Sequence, residues 1–310
     1  MNARLFGVAA AALFLVGCDE WELGDWDRYK EDFQYSYQVN PNVRIYLETR
    51  NGGVEIMGWE RNDVQITGTK HASSEGTLRA LKIDVVASGD SIRIRTAGPS
   101  GHRGSWGARY VMRVPRGAVL ENIESSNAGI RVESLTAGGR LRTSNGGLKI
   151  YRVGGPVEAT TSNASVEIGD VTGSVVVRTS NGAVRADNVR GILDATTSNA
   201  GMNVTLSDPE PQRPVRLVTS NGGVTLTMNQ FRDNDVHVST SNSSITVRLP
   251  SNVRAALKAN TSNSSIDTDF EVMVRAGEVR KTSLEGTIGG GGGPIIDLTT
   301  SNGGIRVLRL

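Results

Sequence analysis

The sequence predicts an all-β chain wound as a single-stranded β-solenoid, a β-helix of about 18–22 residues per coil with an irregular N-terminal cap. Three observations predict it. A Thr/Ser-x-Asn step followed by small residues and an apolar one recurs ten times: TRNGGV, SSNAGI, TSNGGL, TSNASV, TSNGAV, TSNAGM, TSNGGV, TSNSSI, TSNSSI and TSNGGI. Its asparagines fall at Asn51, Asn127, Asn145, Asn163, Asn181, Asn199, Asn221, Asn242, Asn263 and Asn302, with four spacings of 18 residues from Asn127 to Asn199 and then 22, 21 and 21. A fixed period near 20 residues means stacked supersecondary units that bury their apolar sides against one another. Finally, 37 glycines in 310 residues suit many tight corners, and β-branched residues alternate with polar ones between them.

Residues 1–18, MNARLFGVAAAALFLVGC, have Arg4, an apolar run from Leu5 to Val16 and a small residue before the only cysteine, the pattern of an export signal. The run is too short to span a bilayer. Leu15-Val16-Gly17-Cys18 resembles the lipobox of bacterial lipoproteins, which implies that Cys18 becomes a lipidated N-terminus. A membrane is thereby expected as a partner through lipid. Asp19 after the lipidation point resembles an inner-membrane retention signal, favouring the periplasmic face of the inner membrane over the outer membrane. Residues 19–36 are expected to form an acidic tether; its 19–32 portion holds seven acidic residues against two basic ones, with Trp21, Trp26 and Tyr29 interleaved.

Residues 37–126 are expected to form the cap. They contain irregular coils at Val64-Ile66, Leu81-Ile83-Val85, Ile92-Ile94 and Tyr110-Met112-Val114, with one short helix inside Glu75–Ala87. Caps are needed because an open end exposes unpaired backbone.

Residues 127–310 are expected to form the regular part. Alternation along a strand puts Val175, Val177, Thr179 and Asn181 on one face, and Val215, Leu217, Thr219 and Asn221 likewise. That parity turns the asparagines inward, where stacked amides at roughly 4.8 Å form a ladder of Asn127, Asn145, Asn163, Asn181, Asn199, Asn221, Asn242, Asn263 and Asn302 in sequence order. After each corner a second short strand contributes two inward residues, such as Leu148 and Ile150, and Leu135, Val153, Val171 and Val189 supply a third aliphatic position. Thr282–Ile288 reads as a worn copy dividing the last interval. Gly289–Gly293 reads as a loop between coils, since it lacks the Lys and Ser/Thr of a phosphate-binding loop.

The opening strand and corner (Leu47, Asn51, Gly52, Gly53, Val54, Glu55, Ile56), Gly58-Trp59-Glu60 with Asp63-Val64, Val114-Pro115-Arg116-Gly117 and Leu249-Pro250 resemble the putative-adhesin domain family of unknown function. The resemblance covers Tyr37 to Leu310 and implies a right-handed solenoid on a bacterial envelope protein. It implies no reaction.

Catalytic chemistry is not expected. Acids are scattered, and Asp187 and Asp208 fall in different corners. Asp233-Asn234-Asp235 and Asp267-Thr268-Asp269 read as surface turns, and His71, His102 and His237 do not cluster. No zinc or calcium-loop spacing occurs, so neither metal nor cofactor is expected. Mixed outward charges and a net charge of +2 argue against a nucleic-acid surface. Aromatic residues gather before residue 111, at Tyr46, Trp59, Trp106 and Tyr110, which places a binding surface near the cap. The expected function is a non-enzymatic, lipid-anchored binding, adhesin-like or spacer module, with an envelope protein or glycan as partner. The alternatives are a polysaccharide-modifying enzyme, which an Arg-acid cluster would favour, and an envelope-stress accessory docking through the tether.

Overall fold

The computed structural model describes residues 28–98, 105–274, 280–290 and 292–310. Cys18, the signal segment, Trp21, Trp26 and His102 lie outside them. The described residues form two long, mostly parallel sheets of 13 and 14 strands, neither closed on itself. One apolar core, running from Val39 to Val307, lies between them.

The regular stretch alternates between sheets at every corner. It comprises, after the N-terminal elements given below, β8 (Val119–Ser125) and β9 (Ile130–Leu135), β10 (Gly139–Thr143) and β11 (Leu148–Val153), and β12 (Val157–Thr160) and β13 (Val166–Val171). It continues through β14 (Val175–Arg178) and β15 (Val184–Gly191), β16 (Leu193–Thr196) and β17 (Met202–Pro209), and β18 (Val215–Val218) and β19 (Val224–Met228). Each strand pairs in parallel with its equivalent one repeat away, as in Leu148↔Val166 and Ile150↔Ile168. Alternation buries Leu148, Ile150, Val166, Ile168, Val175 and Val177 while Lys149 and Arg178 stay exposed. Ser134, Arg152, Asp170 and Asn188 then take φ of 51° to 63°. This left-handed step shifts the parity by one, so Leu135, Val153, Val171 and Val189 turn into the core.

At the N-terminal end the chain starts with β1 (Tyr29–Gln38), β2 (Arg44–Thr49), β3 (Val54–Trp59), β4 (Asp63–Ala72) and helix α1 (Glu75–Ala80). Three strands follow: β5 (Lys82–Ala87), β6 (Ser91–Ala97) and β7 (Trp106–Pro115). Ser74 caps α1, its hydroxyl accepting from the Thr77 N–H. Residues 29–36, expected in the tether, instead form β1, which pairs antiparallel with β4 over its full length. Its alternate residues Phe33, Tyr35 and Tyr37 pack on the core, which gives this acidic segment a reason to be ordered.

The stacking order differs from the chain order at both ends. β2 and β3, the first repeat in the chain, sit between β6/β7 on one side and β8/β9 on the other. At the other end the elements are β20 (Val236–Ser239), β21 (Ile245–Leu249), β22 (Ala255–Asn260), β23 (Ile266–Thr268) and β24 (Val272–Val274). The chain closes with β25 (Ser283–Ile288), β26 (Ile295–Thr299) and β27 (Ile305–Arg309). The last repeat, β26/β27, is inserted between β20/β21 and β22/β23. The expected coil at Thr282–Ile288 is therefore not a stacked repeat. It is β25, antiparallel to both β22 and β24, a cap over the edge that the insertion leaves outermost. The glycine run makes the return possible: Gly289, Gly290, Gly292 and Gly293 all have positive φ, between 67° and 139°.

The corner corrects the expectation for the asparagines. Asn127, Asn145, Asn163, Asn181, Asn199, Asn221, Asn242, Asn263 and Asn302 are all exposed, and the inward column ends one step earlier, at Thr143, Thr161, Thr179, Thr197, Thr219, Thr240, Thr261 and Thr300. Strand parity stops applying there because the chain turns at the serine. The ladder nevertheless exists in water. Each Asn Nδ2 donates to the Oδ1 of its neighbour at 2.5 to 2.8 Å, in the spatial order 51, 127, 145, 163, 181, 199, 221, 242, 302, 263. The buried ladder is made by threonine. Thr161 Oγ1 donates to the Gly146 carbonyl at 2.9 Å, and its equivalents do the same at 2.8 to 3.3 Å, so the polar corner is satisfied by hydroxyls.

The residue after each asparagine reveals why the order is permuted. Along the stack the column reads Ala108, Gly52, Ala128, Gly146, Ala164, Gly182, Ala200, Gly222, Ser243, Gly303, Ser264, a strict alternation of glycine with a small side chain. A Cβ at Gly52, Gly146, Gly182, Gly222 or Gly303 would lie 1.7 to 2.0 Å from the carbonyl oxygen of the preceding Ala or Ser. In chain order Ser243 and Ser264 would be neighbours; the inserted repeat separates them with Gly303. Charge agrees, since Asp297 comes to lie between His237 and Lys258.

Two outcomes are expected. Gly182→Ala lowers the urea midpoint by the equivalent of ~1–3 kcal/mol, whereas Ala164→Gly costs about 1 kcal/mol or less; equal effects would dismiss the steric account. Cysteines replacing His237 and Asp297 form an intrachain disulfide, because parallel neighbours lie roughly 4.8 Å apart. Cysteines at His237 and Lys258 do not, and peptide mapping of the oxidised variants distinguishes the two orders.

Candidate functional site

Repeat β6/β7 lacks the standard corner. Thr96 registers with Thr49, and Gly107 with Asn51, so the chain takes eleven residues here for a step that Thr49 to Asn51 makes in two. The asparagine ladder ends at this point: Asn51 Nδ2 donates to the Trp106 carbonyl at 2.7 Å. His71 Nε2 lies 2.8 Å from the Asn51 carbonyl oxygen, holding the last corner from the β4 side.

Beside the widened corner lies a recess of about 380 Å³. Its lining includes Glu48, Arg50, Arg95, Thr96, Gly98, Trp106 and Glu124. The floor is a hydroxyl chain. Thr96 Oγ1 donates to Thr49 Oγ1 at 3.1 Å, which leaves the wholly buried Tyr110 hydroxyl to donate to Thr96 across 2.6 Å. Burial pushes the Tyr110 phenol far above its usual range, although the Thr96 contact opposes it, so the floor stays neutral. The wall is Trp106, half-buried on Gly98, where a Cβ would fall 2.2 Å from the indole. Arg50 stands over that ring at 5.8 Å. On the rim, Arg95, Glu48 and Glu124 occupy successive strands, with Arg95 Nε 3.7 Å from Glu48 and the two glutamates direct register partners. A half-buried indole beside guanidinium and carboxylate groups suits a polyhydroxylated ligand: the indole walls the recess and the charged groups meet hydroxyls or a carboxylate.

Sequence reasoning located this end of the chain but not its charged members. Arg50 had a visible signal, because it occupies the position that serine holds in the other nine copies. Glu48, Arg95 and Glu124 had none, since their strands become neighbours only through the insertion. The other candidates stay apart. The exposed asparagine amides are spent on one another. Asn234 is wholly buried, donating to the Glu210 and Arg213 carbonyls and accepting from the Arg232 N–H, while Asp235 and Asp269 accept the N–H groups of Ile295 and Arg309. Asp208 pairs with Arg232 at 2.9 Å, and His237 lies 3.3 Å from Asp297. Among the described residues no three His, Cys, Asp or Glu side chains converge as a metal site would require, and no described helix is long and apolar enough to cross a membrane.

No family model matches the chain, and no curated protein matches it. Among solved structures, a "putative cell adhesion protein" from Clostridium sporogenes is 11% identical over 90% of this chain and 100% of its own, with a TM-score of 0.21. A "putative adhesin" from Bacteroides fragilis is likewise 11% identical, over 90% of this chain and 97% of its own, with a TM-score of 0.28. Superpositions this loose bear on neither the fold nor a ligand.

The buried phenol predicts a pH dependence. A folded-state value raised above the unfolded one near 10 means that the unfolded chain gives up its proton first, so stability is complete below about pH 10 and falls as pH rises beyond it. Denaturant titrations between pH 8 and 11.5 should show this decline in the wild type and a shallower one in Tyr110→Phe; identical slopes would detach Tyr110 from the effect.

Proposed function

We propose that this chain is a non-enzymatic β-solenoid of the bacterial cell envelope that binds a glycan through the recess beside Trp106. In this reading the solenoid is right-handed, the hand that parallel strands joined by a crossover adopt. Lipid at Cys18 holds it to the periplasmic face of a membrane, the inner one by the Asp19 rule. The stacked repeats then act as a spacer and the widened corner as the adhesin-like contact.

The observation that carries the reading is the contrast between the two kinds of surface. Along the regular repeats, outward charges are matched across strands, as in Arg140–Glu158 at 3.0 Å and Lys149–Glu167 at 3.8 Å, and the aromatic residues that sugars stack upon are sparse. At the recess an indole, two arginines and two glutamates line a concavity of ligand size.

The same cluster supports a second reading. Glu48 and Glu124 on adjacent strands, with Arg50 and Arg95 close by, are the Arg-acid grouping that a polysaccharide-modifying enzyme would need.

A glycan array probed with the wild type, followed by titration calorimetry on any hit, tests both. Binding should weaken at least ten-fold in Trp106→Ala and in Arg50→Ala and persist in Asn163→Ala. An array with no bound glycan refutes the binding reading. Release of reducing ends from a bound glycan, lost in Glu48→Gln or Glu124→Gln with affinity retained, would establish the enzyme instead.

A further inference from the structure

Of the four strands that end the two sheets, β23 and β24 have three residues each and β5 has six. β1 has ten, and among the described residues its only sheet neighbour is β4. Natural sheets shorten, bend or cover their edges because an unpaired row of N–H and C=O groups recruits another strand. Here the row is long, and the pairing with β4 behind it runs without a register shift. The Val39 N–H donates to the Asn62 carbonyl at 3.0 Å in register with the β1–β4 ladder. Antiparallel pairs alternate, so the odd-numbered residues of β1 spend their backbone groups on β4. The even-numbered ones, Lys30, Asp32, Gln34, Ser36 and Gln38, direct theirs away from the sheet, and all five side chains are exposed.

We propose that the free edge of β1 pairs antiparallel with β1 of a second copy of this chain, about a two-fold axis through Gln34. Two identical edges can pair symmetrically only in the antiparallel sense, and the outcome is a closed dimer. The sequence of the strand suits that register. Gln34 faces Gln34, Asp32 faces Ser36 and Lys30 faces Gln38, all at hydrogen-bonded sites. Between them Phe33 faces Tyr35 and Glu31 faces Tyr37, extending across the axis the aromatic row in which Phe33 and Tyr35 already lie 5.8 Å apart. No like charges stand opposite or diagonal to one another. Shifting the axis to Asp32 or Glu31 would set an acid against itself, so repulsion disfavours those registers. The charges that usually guard an edge do not guard this one against its own copy.

The full chain carrying Gln34→Cys should form a disulfide-linked dimer on a non-reducing gel after mild oxidation of intact cells, because the two residues at the axis lie about 5.5 Å apart at Cα. Lys30→Cys, whose opposite number is Gln38, should give at least ten-fold less, and the wild type controls for Cys18. Adding Ser36→Pro to Gln34→Cys removes an outward N–H without touching β4 and should abolish the dimer. Equal yields from Gln34→Cys and Lys30→Cys, no dimer from either, persistence of the band with Ser36→Pro, or a cross-linked species of another mass would each overturn the proposal.

Discussion

The structure depends on one close approach: at every second corner the chain runs so near the carbonyl of the preceding repeat that a Cβ has no room. A Cβ at Gly182 would sit 1.7 Å from the Ala164 carbonyl oxygen. Glycine must therefore alternate with a small residue along the column. The tight corner in turn sets the buried Thr hydroxyl above the carbonyl of the neighbouring repeat, and it aligns the exposed asparagines within hydrogen-bonding distance of one another. The inner ladder carries more stability. An unpaired carbonyl in the dry corner costs about 1–3 kcal/mol, whereas an exposed amide can bond to water instead.

The permuted ends follow from the same constraint combined with the problem of edges. A parallel stack built in chain order would leave its terminal repeat with one sheet edge open on each side. Here the first and last repeats are both internal, flanked on two sides. Beyond the parallel repeats lie segments that fold back as antiparallel caps, β4 and β1 with β5 at one end and β25 with β24 at the other. The glycine run before β26 lets the chain reverse and enter the stack, and the alternation at Ser243, Gly303 and Ser264 makes that slot the one that fits.

Insertion at the N-terminal end also creates the recess. In β6/β7 Gly107 comes eleven residues after Thr96, and Trp106, with no counterpart in the other repeats, lies on Gly98. Arg50 fills a serine column, and strands far apart in the chain bring Glu48, Arg95 and Glu124 to one rim. The floor beneath them is neutral and hydrogen-bonded, and Glu48, Arg50 and Arg95 stay exposed, where the cost of desolvation is small.

By itself the sequence determined the all-β class, the repeat length, the buried aliphatic columns and the segment that forms α1, because all of these follow from local periodicity and capping. It also carried, unread, the alternation at Ala128, Gly146, Ala164 and Gly182 and its break at Ser243 and Ser264, where the permuted order is written. Tertiary structure decided that order, the outward turn of the asparagines and the docking of β1. Alternation of side chains holds only while the backbone stays extended, so it could not be carried around a corner to Asn163. Strand neighbours are chosen by steric and charge matching between distant segments, as between Asp297 and both His237 and Lys258, and that matching has no local trace.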